Sequence, residues 1–409
     1  MQQRVYFPGL NALRFFAAFA VVITHVELMR KMLGFSSGWR ELPHSAANAA
    51  AVIASDDRYS WWHPIFAEAG PLGVIFFFVL SGFLITYLLF VEREQSGGIS
   101  VRSFYLRRIF RIWPLYYLIF AVGFLLLPFT DLFYVPAQSE WLENHYWLNF
   151  LLYLIILPNL ALALSPLGTS VPGIGQSWSI GVEEQFYLIW PILMKCFRRP
   201  LGAILTVSAI WLVLKALVAA QVEPESSYVW NALKTFLALS KIECMTAGAL
   251  GAWLLYHKKQ ALLRWLFHPI IQIAAIAAVP LFVFFFPYQW QDGVHLFHSA
   301  AFLVIILNVA ANPISLLRLN NKWLDHLGRI SYGIYMYHMI MIVLVLNIAK
   351  NILFWQSDLS IAQVVVVYGC SIALTIFVSY ISYQWFERRF ISRKSKFSKV
   401  LSGEEAKTN

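Results

Sequence analysis

The chain has 409 residues, of which 59% are hydrophobic and only 13% charged, a balance too apolar for a water-soluble domain of this size. Several separate apolar runs of about 18 or more residues point to membrane-spanning helices, whereas barrel strands would show short alternating segments. A net charge of +10 is what basic cytoplasmic loops give a membrane protein, so no nucleic acid is expected among its partners.

The first apolar run covers residues 9–30 and carries Arg14 and His25. It has no small-residue cleavage site and is expected to remain as the first span. Eleven positions at about 100° each make nearly three turns, so the two side chains share a helix face roughly 16 Å apart. A polar loop at 31–69 with Trp39, Asp56, Asp57, Trp61 and Trp62 leads to a second run at 71–91. A basic turn from Arg102 to Arg111 opens a third at 104–128, and a loop with Asp131, Glu140 and Glu143 follows. The apolar piece from Trp147 to Leu164 is broken by Pro158 and Asn159. Further spans are expected at 179–197, 201–220, 233–256, 268–286, 294–311, 328–350 and 361–386.

Charge chooses between ten and eleven crossings, because Lys and Arg in short loops mark the cytoplasmic side. With ten spans and the N-terminus inside, the loops near 129–146, 221–232 and 287–293 fall outside and hold no Lys or Arg. Eleven would put the later basic clusters outside. The reading is therefore an all-α integral membrane protein, a bundle of about ten transmembrane helices with both termini cytoplasmic. Residues 147–178 form a partly inserted, non-spanning element, residues 1–390 one transmembrane domain, and residues 391–409 a disordered tail, basic and then polar. No internal repeat is found, which weakens a paired-halves transporter architecture.

Charged groups inside a span are functional hypotheses by default. His25 can take a proton from a hydroxyl near neutral pH. Glu184, with Glu183 beside it, begins a span from the outer side and falls about 7 Å below its end, close to the depth expected for His25; a carboxylate there could orient the imidazole. Arg108 and Arg111 lie three apart on one face at the cytoplasmic mouth, near the depth of Arg14, and make a fork suited to phosphate groups. Tyr332, Tyr335 and His338 open a later span. No pair among Asp325, His326, His295 and His298 has metal-ligand spacing, and Cys196, Cys244 and Cys370 read as packing thiols, so no metal is expected.

Taken together these residues resemble the acyltransferase-3 family of membrane enzymes. Arg14 and His25 match its Arg-x10-His, and residues 77–82 its Phe-Phe-x-Leu-Ser-Gly. Arg108 and Arg111 with Pro114 match its Arg-x-x-Arg…Pro. Residues 178–187, from Trp178 to Tyr187, match its Trp-Ser-Leu-x-Val-Glu-Glu-Gln-Phe-Tyr, and Ser331 through His338 its Ser-Tyr-x-x-Tyr-x-x-His. The proline that often follows the family's terminal Glu-Arg/Lys is absent at Glu387-Arg388-Arg389. Some members carry a soluble esterase-like domain after the bundle; these 409 residues hold none, so transfer is expected to be finished by the bundle or by another protein.

The resemblance implies transfer of an acyl group, most often acetyl, from cytoplasmic acyl-coenzyme A (acetyl-CoA) to a hydroxyl of a carbohydrate or glycolipid, such as exopolysaccharide or O-antigen. It implies a bacterial inner-membrane enzyme, surrounded by lipid, with the coenzyme's phosphates on Arg108 and Arg111 and Arg14 deeper. His25, oriented by Glu184 or Glu183, would serve as general base or transient acyl carrier. Ser81 is a second carrier candidate; Ser-Gly in a helix is more often a packing site. The rival class is a flippase of a lipid-linked sugar with no acyl chemistry. Oligomeric state, homo-oligomer or monomer, is unreadable. The topology predicts that single cysteines placed at Ser139 and Ser226 react with a membrane-impermeant maleimide only from outside; labelling from the cytoplasm would overturn it.

Overall fold

Each apolar run that the sequence marks becomes helix because a backbone without water must satisfy its own hydrogen bonds. The structure is a computed structural model that describes residues 4–35, 63–165, 171–221, 227–285, 293–394, 397 and 400–402. Three long helices come first: α1 Leu10–Met32, α2 His63–Ser96 and α3 Val101–Leu125. Short pieces follow, α4 Pro136–Asn144, α5 Tyr146–Leu154 and α6 Pro158–Leu164. Then come α7 Trp178–Cys196, α8 Pro200–Gln221, α9 Tyr228–Leu239, α10 Ile242–Tyr256, α11 Gln260–Leu266, α12 Pro269–Phe285 and α13 Val294–Ala311. The chain closes with α14 Lys322–Arg329, α15 Ser331–Asn351, α16 Ile361–Ser382, a π turn Tyr383–Glu387 and α17 Arg388–Lys394.

The helix starts obey local chemistry. Ser100 caps α3 by accepting from Ser103 N, and Asn321 caps α14 through Trp323 N and Leu324 N. Ser360 and Gln363 form a capping box at α16, each satisfying a backbone N–H that the first turn leaves open.

Among the described residues, seven helices are long and apolar enough to cross a membrane: α1, α2, α3 with its continuation to Phe129, α8, α13, α15, and α16 with its continuation to Lys394. An eighth counts if α11 and α12, bent by 58°, form one broken span. The all-α polytopic class is as expected; the count of about ten is not reached on this measure. Two expected spans account for the shortfall. The helix α7 carries Glu183, Glu184 and Lys195 within its 19 residues. The run expected at 233–256 is split into α9 and α10 at Ser240 and Lys241, where Trp211 Nε1 donates to the Ser240 carbonyl at 2.8 Å. That bond answers a backbone oxygen that the helix break frees.

The element at 147–178 is also broken. Ile156 turns the chain at φ 59° between α5 and α6, whose nine and seven residues are too short for a hydrocarbon core of about 30 Å. Asn159, fully buried, exchanges hydrogen bonds with Gln185, donating at 3.3 Å and accepting at 3.0 Å, which ties the element to α7. Part of the stretch expected as a disordered tail is also placed. Arg107 donates to the Phe397 carbonyl at 2.9 Å, Phe397 stacks on Phe110 at 5.7 Å, and Leu401–Ser402 pairs in parallel with Arg4–Val5.

The first helix sits at the centre. Leu13, Ala17 and Val21 pack into one apolar cluster with α2, while Ala18, Val22, Val26 and Met29 pack into another with Ile334, Ile342 and Leu346 of α15. Peripheral helices such as α8 and α16 present exposed Ile210, Leu217, Val365 and Phe377, as lipid-facing surfaces do. The most extensive helix contact joins α2 and α10, and it depends on small residues. A Cβ at Gly248 would lie 1.9 Å from the Val79 carbonyl oxygen, and one at Gly82 1.9 Å from that of Met245. Gly248→Ala is therefore expected to cost about 1–3 kcal/mol by overpacking, read as a lower melting temperature in detergent. Gly202→Ala, inside α8 where a Cβ meets nothing within 4 Å, should not lower melting and should raise it slightly through helix propensity.

Candidate active site

Side chains from α1, α2, α3 and α7 converge on one charged cluster. Glu183 and Tyr187 are four apart on α7 and so share a face; Tyr187 OH donates to Glu183 Oε2 at 3.1 Å and is also hydrogen-bonded to Ser81 Oγ of α2. The Arg108 guanidinium lies over the rings of Tyr187 and Phe104, at 5.5 and 5.6 Å, an arrangement in which the ring faces attract the cation. Glu184 turns to α3, where Oε2 accepts from Trp113 Nε1 at 3.1 Å. Among the described residues, its Oε1 and the Nε of Arg108 are buried with no hydrogen-bond partner.

Arg14 reaches this cluster from α1. Its Nη1 donates to Asn11 Oδ1 at 2.9 Å, and Asn11 in turn donates to Asp325 at 2.8 Å. The guanidinium is close enough to Arg108, Arg111, Tyr187 and Glu183 for their charges to act on it. Among the described residues, none of Arg14, Arg108 and Arg111 forms a salt bridge. Arg107, by contrast, is paired with buried Glu92 at 2.7 Å. Glu183, Glu184 and, beside Arg111, Glu387 lie within electrostatic reach of these arginines, but none closes to a salt bridge, so the guanidinium groups keep donors open, a setting that favours an anion.

His25 belongs to a different network. Its Nδ1 lies 3.0 Å from the Val21 carbonyl and 3.0 Å from His338 Nε2, and His338 Nδ1 lies 2.7 Å from the Tyr335 carbonyl. A carbonyl only accepts, so both Nδ1 atoms carry the protons in the neutral pair. His338 Nε2 is then the acceptor for His25, and His25 Nε2 is left with a lone pair and no hydrogen bond among the described residues. Tyr335 anchors the relay. Its hydroxyl meets Ser179 Oγ at 2.6 Å and donates to the Gln176 carbonyl at 3.1 Å, while Gln176 Nε2 donates to the Met336 carbonyl at 2.7 Å. The two sequence motifs that start α7 and α15 are thus bonded to each other.

The expected pairing of His25 with Glu184 or Glu183 is not formed. The α7 carboxylates face Trp113, Tyr187 and the α3 arginines, whereas the imidazole faces α15, and His338 is its partner. The other candidates fall around these two networks: Trp178 packs edge-on against Phe78 at 6.3 Å, and Tyr332 OH donates to the Ile112 carbonyl at 2.9 Å. Sequence reasoning passed over Trp113, Phe104 and Gln176, which look like ordinary packing residues until their partners are in place. It also gave no role to Glu387, buried at the π turn, which accepts from Ser382 Oγ at 3.2 Å within electrostatic reach of Arg111.

An α-helical membrane bundle whose central helix α1 carries both Arg14, which meets Arg108 and Arg111 of α3, and the hydrogen-bonded His25 defines a polytopic membrane protein with charge buried at its centre. The profile of the acyltransferase domain family, acyltransferase 3, matches residues 7–384, and the chain belongs to that family. It is 26% identical over 344 residues to the peptidoglycan O-acetyltransferase OatA of Listeria monocytogenes, covering 78% of this chain and 51% of that protein. It is 26% identical to the putative peptidoglycan O-acetyltransferase YrhL of Bacillus subtilis, with 88% and 52% covered, and to the O-acetyltransferase OatA of Staphylococcus aureus, with 93% and 57% covered. The chain spans about half the length of these curated relatives. No solved structure matches it.

Tyr187→Phe would keep the ring beneath Arg108 but leave Ser81 and Glu183 without their shared partner. Stranding a buried polar group costs about 1–3 kcal/mol, so the variant is expected to melt below the native protein in detergent; unchanged melting would mean that this hydrogen bond carries no stability.

Proposed function

We propose that the protein is a membrane O-acyltransferase that moves an acyl group, most often acetyl, from cytoplasmic acyl-coenzyme A to a hydroxyl of a carbohydrate or glycolipid acceptor. The observation that carries this reading is the hydrogen-bond relay leaving His25 Nε2 as a lone pair, on the same helix as Arg14, which meets Arg108 and Arg111 of α3. Arginine is the favoured donor to phosphate, so Arg108 and Arg111, with Arg14 deeper, would hold the coenzyme's phosphates. Its pantetheine arm would extend along α1 toward His25, roughly 16 Å away by helix rise. The bundle of about ten spans, with residues 1–390 as one domain and both termini cytoplasmic in a bacterial inner membrane, belongs to the same proposal. The relatives' names make peptidoglycan the first acceptor to examine, ahead of exopolysaccharide or O-antigen.

In this mechanism His25 Nε2 takes the acceptor hydroxyl's proton as the oxygen attacks the thioester carbonyl. The C–O bond forms, the C–S bond breaks, and the imidazolium returns its proton to the departing thiolate. Positive charge on His25 is stabilised by the Val21 carbonyl and by His338 Nε2, both accepting from Nδ1–H, so no carboxylate contact is required. A flippase of lipid-linked sugar would use the same buried charges without needing a thioester donor.

The test pairs two measurements. Coenzyme A binding to purified protein is expected to weaken about 10- to 100-fold on Arg108→Ala or Arg111→Ala, the loss of a hydrogen bond to a charged group, and to be unchanged in His25→Ala. Mass spectrometry of surface glycans from a deletion strain should find the acyl mark restored by the native protein. His25→Ala, at matched expression, should fall short by about 10²- to 10⁴-fold in rate. Full donor affinity in the double arginine variant would overturn the clamp, and full restoration by His25→Ala would overturn the base; no change in any glycan pool would favour the flippase.

A further inference from the structure

A second buried polar cluster lies apart from the arginines and from His25, where α8, α10 and α13 meet. Glu243, the second residue of α10, is 2% exposed. Its Oε1 meets Lys215 Nζ of α8 at 2.5 Å and His295 Nε2 of α13 at 2.7 Å, while Oε2 is buried and, among the described residues, has no hydrogen-bond partner. Since Nε2 of His295 faces a carboxylate it carries that ring's proton, and Nδ1, also buried and unpartnered, holds a lone pair. His298 stands one turn further along α13. One ring nitrogen bonds to the Val279 backbone, and Nε2 is again buried without a partner. Cys244, wholly buried, completes the group beside Ser299, whose hydroxyl donates to the His295 carbonyl at 2.8 Å.

Three of these atoms, Glu243 Oε2, His295 Nδ1 and His298 Nε2, have one property in common: each is an electron-pair donor that no N–H or O–H meets among the described residues, while the Cys244 sulfur is met by the Ser299 hydroxyl. An ion pair between Glu243, Lys215 and His295 accounts for Oε1 and for Nε2, but not for the other carboxylate oxygen, the thiol or the two imidazole lone pairs. One donor atom each from Glu243, Cys244 and His295 lies within 4.8 Å of the others. We propose that this cluster is a metal site for a borderline divalent ion of the zinc type, held by Glu243, Cys244 and His295, with the fourth position left to water and His298 one turn along α13 beside it. A thiolate with imidazole suits such an ion, whereas magnesium and calcium prefer all-oxygen sets. Thiolate and carboxylate together neutralise the ion's two charges, Lys215 stays on the opposite carboxylate oxygen, and buried Lys241 lies within electrostatic reach of Glu243 and Cys244. No metal was expected from spacing, because the donors come from two segments about fifty residues apart that only the packing of α10 on α13 brings together. The site would brace α10, the helix whose Gly248 seats against α2 beneath Ser81 and Gly82.

The test is metal analysis of the full chain purified in detergent without chelator and reconstituted with zinc. About one ion per chain is expected, lost in Cys244→Ser and in His295→Ala and retained in Cys196→Ser and Cys370→Ser, whose thiols are exposed. Cobalt in place of zinc should give the native protein a thiolate-to-cobalt charge-transfer band in the near ultraviolet, a signature that does not depend on any variant folding. Native protein that binds no stoichiometric zinc, shows no cobalt–thiolate band, or keeps its ion in folded Cys244→Ser would overturn the proposal; the last two would move the site elsewhere or leave only waters to meet the lone pairs.

Discussion

The structure depends on one constraint: a charge carried into a helical membrane bundle must be answered by protein, because the surrounding hydrocarbon offers no partner. The bundle meets it in two ways. Where the charge is structural a carboxylate answers it, as when Arg30 binds Glu27 at 2.7 Å while Tyr368 donates to the other oxygen of the same carboxylate at 2.5 Å. At the arginine cluster the pairing is withheld. Arg108 is cradled by ring faces instead of a carboxylate, and Arg14 is held by the neutral amide of Asn11. Ring faces and amides stabilise a cation without forming an ion pair, so these guanidinium groups keep their charge and their donors open.

Holding that arrangement needs a stiff frame, and the frame is made by close backbone approach. A Cβ at Gly73 would lie 2.5 Å from the Ala17 carbonyl oxygen, and Gly70 would meet Thr24 at 2.8 Å, so α2 lies directly on α1 along the stretch between Arg14 and His25. With Gly82 and Gly248 continuing the contact to α10, three helices are locked in register. The helix α15 closes over the opposite side of α1 and brings His338 to His25. The site is therefore set mostly on helices, and its geometry follows from their packing more than from any loop.

The sequence made the membrane class legible, since an apolar run of spanning length has few other stable fates, and it marked Arg14, His25, Ser81, Arg108, Arg111, Glu183, Glu184, Tyr187, Tyr335 and His338 as unusual. Helical spacing also foretold which neighbours share a face, such as Glu183 with Tyr187 on α7. It put Arg14 near the depth of Arg108 and Arg111, and the structure brings the three within electrostatic reach of one another. It failed on the partner of His25. Depth along the membrane was the only coordinate that sequence supplied, and two groups at one depth can face opposite ways.

Composition and periodicity thus determined that the chain forms a polytopic helical protein with charge buried at particular positions, because those properties depend on residues near one another along the chain. Only the tertiary structure decided that Glu183 and Glu184 turn to α3, that His25 is tied to His338, that the run at 233–256 breaks, and that Glu243, Cys244 and His295 meet. Each of those depends on the rotation of one helix against another. That rotation is set by where small residues allow backbones to touch, a pattern distributed over the whole bundle and invisible in any single segment.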